Sequence, residues 1–113
     1  MDDFLFVFKN CDEDYSNITP AQMQERMGSY SVWMDKLMAA GRYKGGAALH
    51  PDSGRLVKDK STVLTDGPFL ESKEIIGGYA IITAQDYDEA VAFAKDCPLL
   101  DHWGLEIRKL VKR

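Results

Sequence analysis

The chain has 113 residues and a mass of 12.7 kDa, the size of one ordinary domain spanning residues 1–113. Hydrophobic residues make up 45% and charged residues 28%, which excludes a disordered or collagen-like chain. Asp and Glu outnumber Lys and Arg by 18 to 14, so the formal net charge is −4. This balance argues against a phosphate-binding surface, and we expect no direct nucleic-acid partner.

The cysteines and the N-terminal residues indicate the compartment. Cys11 and Cys97 lie far apart and form no Cys-x-x-Cys motif, so no metal site is expected. Reduced thiols are the simpler expectation, and a single long-range disulfide is the alternative. The chain opens with Asp2 and Asp3, and its first apolar run, 4–8, has only five residues. A membrane span needs about 20 apolar residues, and a signal peptide needs a basic start. We therefore expect a cytoplasmic protein with no membrane partner.

The first half of the chain predicts two strands around a long helix. The apolar run at 4–8 does not alternate, which is typical of a central strand buried on both faces. Thr19 and Gln22 have the spacing of a capping box, and Gly41 supplies a stop about 20 residues later. Small residues at 45–49 predict a second strand. We expect one apolar stripe of the helix to fill the core: Met23, Met27, Tyr30, Met34, Leu37 and Met38.

The second half predicts a ribbon, a buried strand and a shorter helix. Two apolar runs, 56–57 and 62–64, bracket charged residues and indicate a strand or ribbon with an exposed middle. Residues 79–84 read as a second buried strand. Asp86 is placed to cap the next helix, which Pro98 ends. The inner face of that helix is expected to consist of Tyr87, Ala90, Val91 and Ala94.

The order of these elements predicts the fold. Alternation at 105–108 indicates a last strand with one wet face. The full order is then β-α-β-β-α-β, an α+β, ferredoxin-like arrangement with two helices on one face of an antiparallel sheet. The strands remain apolar on the other face as well. A second copy of the chain packed sheet to sheet is the simplest cover, so we expect a homodimer.

The most distinctive segment is 65–79, which contains D-G-P-F-x-E-x-K-E-x-x-G-G-Y. With this motif, the helix that carries Tyr30, and the Cys97-Pro98 helix end, the whole chain resembles the YCII-related family in its DGPF-domain branch. The resemblance implies a dimeric α/β barrel, in which two ferredoxin-like units join sheet to sheet. It implies no single activity. Some members are encoded beside extracytoplasmic-function sigma factors, which suggests a regulatory role.

Two residues are candidates for acid–base chemistry. Asp66 either caps its own turn through an Asx interaction or presents a rigid carboxylate as a general base. His50 lies at a predicted strand end and titrates near neutral pH, as does His102 in the final loop. The chain contains no GxSxG, HExxH or Walker motif, so we predict no nucleophile, metal or cofactor.

Five residues are candidates for lining a ligand cleft. Tyr30, Trp33 and Tyr79 would supply aromatic area. Glu71 and Lys73 form either a solvated ion-pair cluster or a polar lip that recognises a charged small molecule. Some relatives use a His–Asp pair with the histidine on the first helix, where this chain has Tyr30. A phenol with a pKa of about 10 is a poor base at neutral pH, which weakens a transfer of that chemistry.

These residues predict a homodimer that binds a small molecule, with or without catalysis, in a cleft near the motif. The alternative is a regulatory or interaction module associated with a sigma factor, and it rests on the family resemblance alone. A ligand site requires a cleft with converging polar groups. A partner site requires an exposed apolar patch outside the dimer interface.

Overall fold

The computed structural model describes residues 1–10, 19–49, 54–64, 75–101 and 103–112. None of the helices within these ranges is long and apolar enough to cross a membrane. The elements in chain order are β1 (Asp2–Asn10), α1 (Pro20–Ala39), β2 (Tyr43–Ala48), β3 (Leu56–Asp59), β4 (Thr62–Leu64), β5 (Ile75–Ala84), α2 (Tyr87–Lys95), a 3-10 turn (Pro98–Asp101) and β6 (Gly104–Lys109).

The main sheet has four strands in the order β2-β5-β1-β6, and every neighbouring pair is antiparallel. β3 and β4 form a separate two-stranded hairpin, which confirms the predicted ribbon. With the hairpin set aside, the order along the chain is β-α-β-β-α-β. The predicted ferredoxin-like α+β fold is therefore confirmed.

The core lies between the helices and one face of the sheet. Phe4, Phe6 and Phe8 of β1 are 0–2% exposed, and their cross-strand partners on β5 include Ile82 and Ala80, both fully buried. Each large side chain that is fully buried stabilises the fold by about 1.5–3 kcal/mol. The alternate residues of β1 therefore form the face of the sheet that packs against the helices.

The other face of β1 is not fully buried within one chain, contrary to the sequence prediction. Leu5 and Val7 point away from the helices and are half-buried, although β1 is central as expected. On β5, Tyr79 and Ile81 lie opposite them in the register. We call these four residues the open sheet face. It is apolar, and neither α1 nor α2 covers it.

Helix α1 begins where the capping signal predicted. The Thr19 hydroxyl accepts from the Gln22 amide at 3.1 Å, and the Gln22 side chain accepts from the Thr19 amide at 3.0 Å. The predicted methionine core is wrong in part, because Met27 and Met38 are 48% and 51% exposed. The residues that face the sheet are Tyr30, Trp33, Met34 and Leu37. Met27 and Met38 lie to one side of that line on the helix surface.

Helix α2 packs more narrowly than predicted. Asp86 caps it by accepting from the Glu89 amide at 2.8 Å, as expected. Ala90 and Ala94 are buried against the sheet, whereas Tyr87 and Val91 are 47% and 39% exposed. Tyr87 instead lies at the sheet margin with its ring edge-on to Phe4, and its hydroxyl accepts from the Lys109 amide.

One end of the sheet, which we call the anchored end, is held by ion pairs. Asp2 pairs with Lys109 at 3.1 Å and with Lys112 at 3.0 Å. Arg42 pairs with Glu89 at 2.6 Å, and its guanidinium lies 5.8 Å from the Phe93 ring centroid. These contacts join the N-terminus, the end of α1, α2 and the C-terminal residues.

The opposite end, which we call the loop end, is where β1 and β2 finish and β5 and β6 start. Asn10 pairs with Ile75, and Lys9 pairs with Gly104. The Leu49 amide, just after β2, donates to the Gly77 carbonyl at 2.9 Å. The loop end is thus defined by backbone pairing among all four strands.

Candidate functional site

Only some of the site residues predicted from the sequence lie within the described residues. His50, Asp66, Glu71, Lys73 and His102 lie outside the described residues, and their roles stay predictions. Three of their sequence neighbours are described and lie together at the loop end. Leu49 is next to His50 in the chain, Ile75 is two positions after Lys73, and Trp103 is next to His102.

Beside the loop end, the helix-side face of the sheet carries very small residues. Gly46 of β2 pairs with Ala80 of β5, and Ala48 pairs with Gly78. Ala80 and Gly78 are buried, while Gly46 and Ala48 are exposed, so α1 leaves this margin of the sheet open. We call these four residues the floor. The exposed part of the floor, Gly46 and Ala48, has little or no side chain, so a flat molecule can approach the strand closely there.

The two glycines of the floor are required by their surroundings. A Cβ on Gly46 would lie 2.7 Å from the Tyr43 hydroxyl oxygen, and a Cβ on Gly78 would lie 2.9 Å from the Ala47 carbonyl oxygen. Both contacts are closer than real Cβ atoms make. Larger residues here would displace Tyr43 or spread β2 from β5.

Aromatic rings stand beside the floor. The Tyr30 ring lies 5.9 Å from Phe8 in an edge-on arrangement and 5.5 Å from Trp33. The Tyr43 hydroxyl lies over Gly46, and it is near enough to the Tyr30 hydroxyl to add to the rise in the pKa of Tyr30. One residue from each of β1, α1 and β2 thus forms a connected aromatic wall. Its polar atoms are two phenol hydroxyls.

The ring of Trp103 also lies near the loop end, outside the aromatic wall, and is partly buried against the core. The six-membered part of its indole lies directly on Gly77, where a Cβ would overlap it. Gly77 is the extra residue of a bulge, because the register of β1 against β5 shifts between Phe8 and Lys9. The bulge and its glycine therefore set how close Trp103 comes to the sheet.

The wall and the residues beneath it are electrically neutral near pH 7. Burial raises the pKa of Tyr30 well above its usual value of 10, with the neighbouring Tyr43 adding to the effect. Burial also raises the pKa of the Cys97 thiol to about 11. Neither group exchanges protons readily at neutral pH, so these side chains are suited to binding and not to acid–base catalysis. Within the described ranges, no three His, Cys, Asp or Glu side chains converge as metal ligands do.

The structure places the three described sequence candidates in three different surroundings. Tyr30 belongs to the wall. Trp33 is 5% exposed, and its indole N–H donates to the Phe93 carbonyl at 2.9 Å. One edge of Trp33 reaches a shallow outer groove of about 310 Å³. Tyr79 lies on the open sheet face and is 39% exposed. Within one chain, Tyr30 and Tyr79 are therefore on opposite faces of the sheet.

Sequence reasoning missed Phe8, Tyr43 and Trp103 as parts of the site. Phe8 looked like an ordinary core residue, and Tyr43 preceded the glycine pair of β2 without a distinguishing pattern. Trp103 has no distinguishing pattern in the sequence, and its contact with Gly77 joins positions 26 residues apart. The glycine pair at 77–78 was the available signal, since glycine in a strand often marks a bulge or a close approach.

The sequence of the chain matches the sequence model of the YCII-related domain over residues 4–112. The chain belongs to the YCII-related family. An uncharacterised protein of Rhizobium meliloti is 33% identical over 89 residues, a match that covers 75% of this chain and 72% of that protein. The resemblance seen in the motif at 65–79 is thus confirmed at the level of the family.

The fold of this YCII-related protein also occurs in a solved enzyme structure. The enzyme is 5-chloro-2-hydroxyhydroquinone dehydrochlorinase, TftG, from Burkholderia phenoliruptrix, in complex with 2,5-dihydroxybenzoquinone. The match has a TM-score of 0.53 and 17% identity, and covers 98% of this chain and 95% of that one. At this identity the likeness supports the shared fold and leaves the chemistry of this chain to its own residues.

Proposed function

We propose that this YCII-related protein is a homodimer that binds a small, planar, ring-shaped molecule on the floor beside the aromatic wall. The observation that carries the proposal is the exposed pair Gly46 and Ala48 next to Tyr30 and Tyr43. A bare backbone surface next to upright rings accommodates a flat ligand better than a globular one.

The two phenol hydroxyls give the ligand an orientation. Each phenol has one O–H donor, so Tyr30 and Tyr43 together offer the ligand up to two donated hydrogen bonds. The raised pKa of Tyr30 keeps it protonated, so a neutral hydroxyl faces the ligand. A carbonyl or phenol oxygen on the ring is the matching acceptor. Quinones and hydroquinones carry such oxygens, and TftG is described in complex with one of them.

The dimer accounts for the open sheet face. Leu5, Val7 and Ile81 are half-buried and Tyr79 is 39% exposed, an apolar set on strands that are otherwise well paired. Two such faces stacked about 10 Å apart would interdigitate as in other layered sheets. Around these four residues the same face carries polar contacts, the Lys9–Glu106 ion pair and the Thr83–Asp3 hydrogen bond. An apolar centre with a polar rim is the pattern of a protein–protein interface.

The test measures the binding of 2,5-dihydroxybenzoquinone and of hydroquinone to the protein, by calorimetry and by thermal shift. A ligand at 100 times its dissociation constant raises stability by about 2.7 kcal/mol. Tyr30→Phe should raise the dissociation constant about two- to tenfold, the effect of one neutral hydrogen bond. Tyr87→Phe is the control, since Tyr87 lies at the anchored end.

A second variant addresses the floor itself. Ala48→Leu places a bulky side chain on the exposed margin, and we expect it to abolish binding without unfolding the chain. Ala92→Leu, on the exposed side of α2, should bind as the wild type does. The proposal is overturned if no ring compound binds the wild type, or if Ala48→Leu binds unchanged.

Catalysis is a separate question that two further variants address. If the bound compound is turned over, we propose Asp66 as the general base and His50 as its proton-transfer partner, with Glu71 and Lys73 contacting charged groups of the substrate. Asp66→Asn and His50→Gln should then lower kcat by at least about a hundredfold while leaving binding in place. Binding without turnover would leave the protein a ligand-binding module. The association with a sigma factor stays a prediction, because neither matched protein bears on it.

A further inference from the structure

The β3–β4 hairpin is well formed, and apolar side chains on both of its faces are exposed among the described residues. The Asp59 carboxylate accepts from the Ser61 amide at 2.9 Å and from its hydroxyl at 3.0 Å, which closes the turn. Val57 and Val63 form a cross-strand pair and are 64% and 51% exposed. Leu56 points to the other face of the hairpin and is 38% exposed.

A hairpin of this kind needs a partner surface. Two strands alone are marginally stable in water, and a third strand, a helix or a sheet face is required for independent order. The exposed cross-strand pair of valines would gain hydrophobic stabilisation by packing against another surface. The ordered turn and the apolar pair together indicate that another surface packs on the hairpin in the assembled protein.

Charge indicates what that surface is. Residues 54–64 carry Arg55, Lys58 and Lys60 against Asp59 alone, a net charge of +2. The whole chain has a net charge of −4, so the residues outside this segment carry −6. A basic hairpin thus belongs to an acidic body, and a second copy supplies both the missing cover and the opposite charge. In a two-fold dimer each copy offers one arm and accepts one, which satisfies both hairpins at once.

We propose that the β3–β4 hairpin is an exchanged arm that packs its Val57–Val63 face against the second copy of the chain. This inference rests on the homodimer of the proposed function, and it adds a contact separate from the open sheet face. The arm extends the interface beyond the stacked sheets and draws two basic segments onto an acidic partner.

The experiment is sedimentation velocity over a range of concentrations. Val57→Thr combined with Val63→Thr keeps the shape and strand preference of both residues while making them polar. Because two arms lose their apolar contacts, the dissociation constant of the dimer should rise at least about tenfold. Val32→Thr and Val111→Thr alter valines that are 64% and 87% exposed elsewhere, and they should leave the dimer unchanged.

Trypsin cleavage after Lys58 and Lys60 provides a second readout. Cleavage of the wild type should slow as its concentration passes through the dissociation constant, and the double valine variant should lose that dependence. Protection that is independent of concentration means that the chain's own residues cover the hairpin, which overturns the proposal. An unchanged dissociation constant in the double variant overturns it as well.

The failure of the arm and the failure of the dimer are distinguishable. A wild type that stays monomeric at every concentration refutes the dimer and the arm together. If Ile81→Glu dissociates the dimer and the double valine variant does not, the sheet-to-sheet dimer is supported and the exchanged arm is refuted. Dissociation by both variants is the expected result.

Discussion

Replacing Gly77 by alanine tests the close packing that shapes the loop end. The added Cβ would overlap the six-membered ring of Trp103, which is itself packed against the buried core. To restore an ordinary contact of about 3.5 Å the ring must retreat by roughly 1 Å. Gly77 does not have a positive φ, so the backbone tolerates alanine and the cost is one of packing alone. Overpacking of this kind costs about 1–3 kcal/mol.

The assay is urea unfolding at a fixed protein concentration, with thermal melts in parallel. We expect the midpoint temperature of Gly77→Ala to fall by about 4–12 °C. Gly28→Ala is a matched control because a Cβ there meets nothing within 4 Å on the surface of α1. That control should stabilise the chain by about 0.5–1 kcal/mol, since alanine suits a helix better than glycine.

A double variant identifies the cause of the loss. Trp103→Leu removes the ring that Gly77 accommodates, so Gly77→Ala should cost much less in that background. A coupling free energy of at least about 1 kcal/mol between the two sites is expected. If Gly77→Ala is as stable as the wild type, or if the effects of the two changes are additive, the contact between Gly77 and Trp103 does not constrain the loop end.

Three further predictions concern capping, burial and charge. Thr19→Ala should destabilise the chain by about 1 kcal/mol in urea unfolding, since it removes the acceptor for the Gln22 amide; an unchanged midpoint would mean that the first turn of α1 frays in the folded state. With a pKa of about 11, Cys97 is about 0.1% thiolate at pH 8, against roughly a quarter for an ordinary cysteine. Peptide mapping after iodoacetamide treatment should therefore show Cys97 alkylated at least about a hundredfold more slowly when folded than in urea, and equal rates would contradict its burial. The Lys9 hydrogen bond lowers the pKa of Glu106 below its usual value of 4.5, so its contribution is present above pH 4.5 and is lost as pH falls through the lowered value. Glu106→Gln should thus flatten the acid side of a stability-against-pH curve, and a parallel curve would exclude this pair as a source of acid sensitivity.

The elements were predictable because their signals are local. Each of these signals spans only a few residues of the chain, as in the capping box of Thr19 and Gln22, the Asp86 cap and the apolar run of β1. The side of a helix that meets the sheet is a different matter. Met27 and Met38 have the spacing of an apolar stripe, but Trp33 and Leu37 are the residues that are buried. Spacing indicates a helix, and only packing selects among its overlapping stripes.

The site was less predictable because it joins distant segments. Phe8, Tyr30 and Tyr43 come from three elements, and their contacts exist only once β2 and β5 are paired in register. Tyr79 shows the same limit from the other side, since the period of two along β5 places it away from Tyr30. A change of one residue in register would exchange the faces of these side chains. Such a shift occurs at Gly77, where the chain itself supplied only a glycine pair.

The contrast between the two ends of the sheet indicates where this chain can be engineered. Asp3 adds to the anchored end by accepting from the Thr83 hydroxyl at 2.9 Å and from Lys44 at 3.2 Å, so changes there break contacts between distant segments. The segments that follow Leu49 and precede Ile75 and Trp103 join the sheet at the other end, away from those contacts. None of the ion pairs and hydrogen bonds named at the anchored end involves a residue of these segments. A combinatorial library built for new recognition therefore belongs at the loop end, where substitutions leave those contacts in place.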